Sequence, residues 1–218
     1  MTLYDIALVV HVLGWVFWLG TDVGVFLGAR YAERADLSEE TRLTVLEVGM
    51  MLDRAPRFAV PVVWFTGVLL SRGLGYEVIP VLPAAIFAAV WVLITWAVIF
   101  LEPASAAHRT ALLAQTVFYL IVIFGMGAGA LWLLSSGAIP LWLALKWLGF
   151  VLVGIAALLL EKMFKPVAVL FQQLATEGAG QELNERISST LKPVYPVVLA
   201  IYAGTLIAGV SGLLKPIW

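Results

Sequence analysis

Six apolar stretches of near-membrane length constrain this chain more than any other feature. A membrane-spanning helix needs about 20 mostly apolar residues. With proline, glycine and charged clusters as boundaries, the stretches cover residues 3–28, 57–72, 80–101, 110–134, 139–160 and 194–214. The chain is 62% apolar and 12% charged, whereas about a quarter of an ordinary soluble domain is charged. We therefore predict an all-α membrane bundle of about six transmembrane helices, forming a single domain over residues 1–218.

The distribution of lysine and arginine predicts the orientation. Cytoplasmic segments carry an excess of these residues. If the N-terminus is outside, the basic residues of the inner segments are Arg30, Arg34, Arg42, Arg54, Arg57, Arg109, Lys162, Lys165, Arg186 and Lys192. The outer segments then hold Arg72 and Lys215. We expect both termini on the outer, periplasmic side, and the two long segments 30–56 and 161–192 in the cytoplasm.

The two long cytoplasmic segments are predicted to be helical extensions of the bundle. In the first, Asp36 or Ser38 can cap a helix whose apolar residues recur at helical spacing over 43–51. This helix is expected to continue the second span inward, with a kink near Pro56. The second segment has helical spacing up to a break at Gly178. Both segments are interpreted as helices at the membrane interface.

An internal repeat is also predicted. A shift of 135 positions places His11 over Lys146 and Pro61 over Pro196 without a gap. A span, a long cytoplasmic segment and a second span follow in the same order in both halves, as in parallel-repeat membrane proteins. The repeat divides the chain into halves 1–75 and 136–218 with an inserted helix pair, 80–134.

Small residues recur every four positions in several spans. Gly20, Gly24 and Gly28 lie on one face of the first span, and Gly204, Ala208 and Gly212 lie on one face of the last. Such spacing is typical of closely packed membrane helices. We expect both faces to contact neighbouring helices.

The first span also presents polar and aromatic groups along one face. His11, Trp15, Trp18 and Asp22 follow one another at steps of four, three and four residues, and 100° per residue places His11 and Asp22 within about 20° of each other. An ionisable residue at membrane depth faces the bundle or a cavity and has a functional role by default. We therefore place a candidate site on this face.

His11 is the candidate axial ligand of a haem. The chain has two histidines and no cysteine, which excludes cysteine-ligated clusters and thioether-attached haem. A neutral imidazole binds haem iron, and apolar walls suit a porphyrin. His108 is expected at the cytoplasmic end of its span, too far away to share the iron with His11. The alternative is that His11 is a structural histidine, hydrogen-bonded within the bundle.

Lys146 and Asp22 are candidate catalytic residues with structural alternatives. Lys146 lies seven residues into its span, where it can hold a propionate or an anionic substrate, ligate the iron, or extend to the outer interface. Asp22, near the inner end of the first span, serves a proton path or pairs with Arg30 or Arg57. The sequence leaves both choices open.

Several motifs resemble two related bacterial membrane families. The first span contains His11-x6-Trp18-x-Gly20, and a later span contains Trp142-Leu143-x-x-Lys146. These motifs are similar to the HemJ-type protoporphyrinogen oxidases and to the CopD copper-resistance family. Residues 129–134 and the Lys215-Pro216 tail also resemble HemJ segments. The resemblance implies a bacterial inner membrane protein that binds haem b, with His11 and Lys146 as its functional pair.

The leading hypothesis is a membrane oxidoreductase that binds haem b and transfers electrons to or from quinone, with porphyrinogen oxidation as one reaction. One alternative is a non-enzymatic subunit of a larger membrane complex. A second is copper transport. The lipid bilayer is the expected environment, with partner subunits or a homo-oligomer. A net charge of -1 argues against a nucleic-acid-binding surface.

Overall fold

The computed structural model describes residues 1–215, and the regular structure within them is helical. The helices are α1 (Leu3–Ala32), α2 (Glu39–Leu52), α3 (Arg54–Gly73), α4 (Val81–Phe100), α5 (Ala106–Ser135), α6 (Leu141–Glu177), α7 (Gln181–Leu191) and α8 (Val194–Leu214). The prediction of an all-α membrane bundle is confirmed. Pro216, part of the Lys215-Pro216 tail compared with HemJ segments above, lies outside the described residues.

Local capping interactions explain several helix starts and stops. Thr2 caps α1: its hydroxyl accepts a hydrogen bond from the Asp5 amide at 3.2 Å, and its own amide donates to Asp5 Oδ2 at 2.7 Å. Ser38 caps α2 as predicted, since its Oγ accepts from the Thr41 amide at 3.3 Å. The long helix α6 ends at Gly178, where φ is 83°, a conformation that glycine adopts without strain.

Within residues 1–215, five stretches are long and apolar enough to cross a membrane: α1, α4, α5, α6 and the α7–α8 stretch Gln181–Leu214. The predicted second span corresponds to α3, whose arginines make it less apolar. At 1.5 Å per residue its 20 residues extend about 30 Å. It runs antiparallel beside α1, since Gly73 contacts the ring of Tyr4 and Thr66 contacts His11. A sixth crossing, by α3, stays a prediction.

Six long helices form a ring. Each contacts its neighbours in the order α1, α3, α4, α5, α6, α8, and α8 returns to α1. The centre of the ring is filled by large apolar side chains. The buried members of this central core are Trp18, Val63, Trp91, Val122, Phe150, Val153, Ala156 and Ile201. The order long helix, short helix, returning helix occurs in both α1–α3 and α6–α8, while the sequence repeat itself stays a prediction.

The two segments predicted to be cytoplasmic differ in detail from the prediction. The helix α6 continues unbroken through residues 161–177, and α2 is separated from α3 at Asp53 rather than near Pro56. The apolar faces of α2 and α7 pack against the inner half of α6 in a second core that includes Leu170, Leu174 and Ile187. Met50 and Met51 of α2 remain 47% and 57% exposed, so the interpretation of these segments as interface helices stays a prediction.

A fully buried arginine joins α1, α2 and α7. Arg42 of α2 has no exposed surface. Its Nε donates to the Ala32 carbonyl at 2.8 Å, and its Nη1 donates to Asn184 Oδ1 at 2.7 Å. Its Nη2 is buried without a hydrogen-bond partner among residues 1–215. The guanidinium therefore links the end of α1, α2 and α7.

The predicted glycine faces are confirmed in part. Gly28 of α1 packs against α2, because an added Cβ would lie 3.3 Å from the Val45 carbonyl oxygen. Gly20 has nothing within 4 Å among the residues described. On α8, Gly204 packs against Gly149 of α6, where a Cβ on either residue would lie 2.6 Å from the other's carbonyl oxygen. The α6–α8 pair thus has direct backbone contact.

Candidate functional site

A cavity opens inside the ring, between α1, α3, α6 and α8, and contains the main sequence-predicted residues. Its empty volume is about 680 Å³ when the open mouth is included. Its walls are mostly apolar and aromatic. The lining includes His11, Trp15, Trp18, Trp64, Met126, Lys146, Trp147, Phe150 and Ala208.

The position and protonation of His11 follow from one hydrogen bond. His11 is 8% exposed, and its Nδ1 lies 3.0 Å from Thr66 Oγ1. The Thr66 hydroxyl has one proton, which it donates to the Val62 carbonyl at 2.7 Å. Thr66 Oγ1 therefore accepts the hydrogen bond, and the proton of the neutral imidazole is on Nδ1.

This tautomer leaves Nε2 of His11 as an unprotonated nitrogen. Nε2 has no hydrogen-bond partner among residues 1–215. It is also absent from the side-chain atoms that are both unpartnered and fully buried, so part of its surface is exposed. It is therefore accessible from the cavity. A histidine that ligates a metal through one nitrogen usually donates the other N–H to a nearby acceptor, which fixes the ring. Thr66 supplies that acceptor.

Lys146 lies on the same cavity, on α6. Its Nζ donates to the Ala208 carbonyl of α8 at 3.1 Å. Gly212 makes room for the amine, because a Cβ at that position would lie 2.7 Å from Nζ. The side chain is thus directed across the bundle to α8, and its amine can meet a ligand in the cavity.

The two candidate tryptophans of α1 both line the cavity. The Nε1 of Trp15 donates to the Thr205 carbonyl at 3.2 Å. Trp18 is 3% exposed and meets Phe150 edge to face, with 5.7 Å between ring centroids. Trp15 therefore forms the wall towards α8, and Trp18 packs into the central core below the cavity.

Asp22 does not line the cavity. The two arginines expected as its partners are engaged elsewhere: Arg57 Nε is 2.6 Å from Asp53 Oδ2, and Arg30 is 3.4 Å from Glu33. Among residues 1–215 no ion pair within 4 Å joins Asp22 to either arginine, and the choice between pairing and a proton path stays a prediction. The helix spacing placed Asp22 on the same face as His11 and Trp18, but it could not show that the lining of the cavity ends at Trp18 and leaves Asp22 out.

The second histidine lies apart from the cavity. His108 is in the first turn of α5, and it is absent from the cavity lining. Within residues 1–215, no group of three or more His, Cys, Asp and Glu side chains is placed to hold a metal ion.

The structure adds three site residues that the sequence did not indicate. Thr66 fixes His11, and Gly67 packs against the imidazole, because a Cβ there would lie 3.4 Å from Cε1. Met126 of α5 brings a thioether into the lining. A threonine, a glycine and a methionine are common in apolar helices, so no sequence pattern distinguished these residues.

In donor chemistry, the residues of this cavity suit a haem. His11 offers an unprotonated Nε2 whose other nitrogen is already hydrogen-bonded. The walls supply aromatic surface, and Lys146 supplies one amine. A porphyrin provides four of the six iron ligands itself, so a protein site for haem needs few donors. The donor set and the apolar lining agree with that requirement.

Comparison of the chain with protein-family models, with curated proteins and with solved structures gives no match.

Proposed function

We propose that this protein binds haem b within the membrane through His11 and transfers electrons between membrane quinone and a reduced partner. A porphyrinogen is one candidate reductant. One observation carries the proposal: His11 presents an unprotonated Nε2 to an aromatic cavity, while Nδ1 is hydrogen-bonded to Thr66. When bound, haem would supply a one-electron centre inside an apolar bundle.

The chain's own residues have distinct roles in this proposal. Thr66 holds the imidazole in one orientation and one tautomer. Trp15 and Trp18 form walls that exclude water, as does Phe150. Lys146 is the group that holds an anionic substituent, such as a propionate, or serves as the second axial ligand. Asp22 is outside the cavity, so any catalytic role for it is indirect, through proton transfer towards the cytoplasmic side.

The proposed location is the bacterial cytoplasmic membrane, with both termini on the periplasmic side. The bias of lysine and arginine towards the segments that include α2 and α7 supports this orientation. The exposed apolar residues of the outer surface, such as Phe124 and Trp132 of α5, support contact with lipid or with further membrane subunits. Both a homo-oligomer and a complex with other chains are consistent with these faces.

A second candidate function is copper transport, and Met126 is the observation that favours it. Cu(I) prefers soft ligands such as thioether sulfur and also takes imidazole nitrogen. His11 and Met126 line the same cavity. Copper binding would require both side chains, whereas haem binding requires His11 and tolerates a change of Met126 to leucine.

The test is a reduced-minus-oxidised absorption spectrum of the protein purified in mild detergent, with parallel metal analysis. We expect a b-type spectrum that is lost in His11→Ala and kept in His108→Ala, the matched histidine control. A protein that purifies without haem would overturn the proposal, as would a haem signal that persists in His11→Ala. Copper lost in both His11→Ala and Met126→Leu would support transport. Haem-free copurification with partner chains would support the subunit role.

A further inference from the structure

The contact between α1 and α8 differs from the contact between α6 and α8. The backbones of α6 and α8 touch at Gly149 and Gly204. Between α1 and α8, aromatic side chains fill the gap: Phe26 meets Tyr195 and Tyr202 edge to face, with ring centroids 5.6 and 6.2 Å apart. We call this α1–α8 contact the seam, defined by Trp15 and Phe26 on α1 and by Tyr195, Tyr202 and Gly209 on α8.

At the level of the cavity, Trp15 closes the seam. Its indole rests on Gly209, where an added Cβ would lie 2.5 Å from Cζ2, and its Nε1 donates to the Thr205 carbonyl. Trp15 also lines the cavity. Its neighbour Val16 and the α8 residue Leu206 are 52% and 45% exposed on the outside of the bundle. At this level Trp15 therefore forms the cavity wall between α1 and α8.

The amine of Lys146 lies just inside this closure. Its Nζ donates a hydrogen bond to the carbonyl of Ala208, the residue before Gly209. A molecule that passed Trp15 from the lipid would meet this donor first and then the aromatic walls formed by Trp147 and Phe150. A flat ring with a carbonyl oxygen at its edge matches that sequence of surfaces. A protonated lysine has three N–H donors, of which the Ala208 carbonyl takes one, so Lys146 can donate to this oxygen in addition to a haem propionate, and the aromatic walls stack on the ring.

We propose that the seam is a lateral entrance through which a lipid-dissolved quinone reaches the cavity, with Trp15 as its gate. The proposal rests on the function proposed above and specifies where its membrane substrate enters. The Trp15 indole is held by one hydrogen bond and by contact with a glycine. Its side chain can therefore rotate away from α8 without a movement of either helix backbone. The competing route is the loop between α3 and α4, where Tyr76 and Ile79 also line the cavity.

The experiment uses cysteines, since the natural chain has none. The double variant Trp15→Cys/Gly209→Cys is purified, reconstituted in lipid vesicles, and divided into an untreated half and a half joined by a short bis-maleimide. Both halves lack the indole, so they differ in whether the seam can open. Under anaerobic conditions haem is reduced, and its reoxidation is followed after adding a short-tailed ubiquinone analogue or ferricyanide.

The reaction is balanced: two reduced haems and two protons convert one quinone to its quinol, whereas ferricyanide takes one electron from one haem. We expect the cross-link to slow oxidation by quinone at least 10-fold and to leave oxidation by ferricyanide within about 2-fold. Equal quinone rates in the two halves would overturn the lateral entrance.

A second arm tests the competing route. Glu77→Cys lies in the α3–α4 loop outside the cavity lining, and a bulky maleimide attached there covers the outer mouth. We expect oxidation by quinone to continue after this labelling, and its loss would overturn the proposal. If the protein binds no haem, the proposed function fails first. The rate of quinone binding then still tests the seam. It is followed by quenching of tryptophan fluorescence in cross-linked and untreated protein.

Discussion

Thr66 of α3 determines which nitrogen of His11 on α1 carries the proton, although the two residues are 55 positions apart in the chain. The Thr66 hydroxyl donates its proton to the Val62 carbonyl and accepts a hydrogen bond from His11 Nδ1 at 3.0 Å. The candidate ligand atom Nε2 is therefore prepared before any ligand arrives. Pairing of α1 with α3 is thus part of the site and not a scaffold around it.

Replacing Thr66 with valine is expected to weaken haem binding by about 10- to 100-fold, the usual effect of losing a hydrogen-bond partner of a metal ligand. Valine keeps the shape of threonine but cannot accept from Nδ1, so the imidazole is free to rotate and change tautomer. Haem titration of the purified protein measures the effect. Thr66→Ser keeps the acceptor and should bind like the natural protein. Equal affinity in the valine variant would mean that Thr66 does not orient His11.

Lys146→Met removes the positive amine from the cavity and is expected to lower the haem midpoint potential and to slow the reaction with quinone. Gly212→Ala is expected to reproduce both effects. The new Cβ would lie 2.7 Å from Lys146 Nζ, and the flexible lysine can move away at little cost in folding free energy. We expect the normal thermal unfolding temperature together with the same change in haem midpoint potential and quinone reaction rate as in Lys146→Met. A Gly212→Ala protein with natural potential and rate would show that the position of this amine does not matter.

Gly149→Ala is expected to lower the free energy of unfolding by about 1–3 kcal/mol, the usual cost of overpacking. Its Cβ would lie 2.6 Å from the Gly204 carbonyl oxygen, so the α6 and α8 backbones must separate. Thermal unfolding in detergent, followed by circular dichroism, measures the change. Gly125→Ala is the control, since nothing lies within 4 Å of that position among residues 1–215. Equal destabilisation by both variants would contradict the close α6–α8 contact.

Arg42→Met is expected to destabilise the protein by about 2–4 kcal/mol, because it leaves the buried Ala32 carbonyl and the partly buried Asn184 Oδ1 without their donors. The double variant Arg42→Met/Asn184→Leu removes one of these acceptors and should recover part of the loss. Unfolding in detergent provides the measurement.

Arg34→Met is the matched control for Arg42. Arg34 is half-exposed and pairs with Asp36 on the surface, where an ion pair contributes at most about 1 kcal/mol. We expect Arg34→Met to unfold close to the natural protein. A comparable loss of stability in the Arg34 and Arg42 variants would contradict the structural role of the buried guanidinium.

The sequence was sufficient to predict the helical class and the approximate limits of the long helices, because a membrane span must be apolar over its whole length and must satisfy its backbone hydrogen bonds internally. The predicted stretch 194–214 coincides with α8, and Ser38 caps α2 as expected. Both properties are local, so the residues involved are neighbours in the chain. The selection of His11 as the imidazole within a span follows from the same local reasoning.

The arrangement of the site was decided by tertiary structure. Three features of the site depend on which helix faces meet. Thr66 contacts His11, Lys146 donates a hydrogen bond to the Ala208 carbonyl, and Asp22 lies outside the cavity. In a membrane bundle the face towards lipid and the face towards protein are both apolar, so hydrophobic periodicity does not reveal which side is buried. The sequence by itself therefore determined the helices and the one intramembrane histidine, while the packing of the ring decided the partners that make that histidine a candidate ligand.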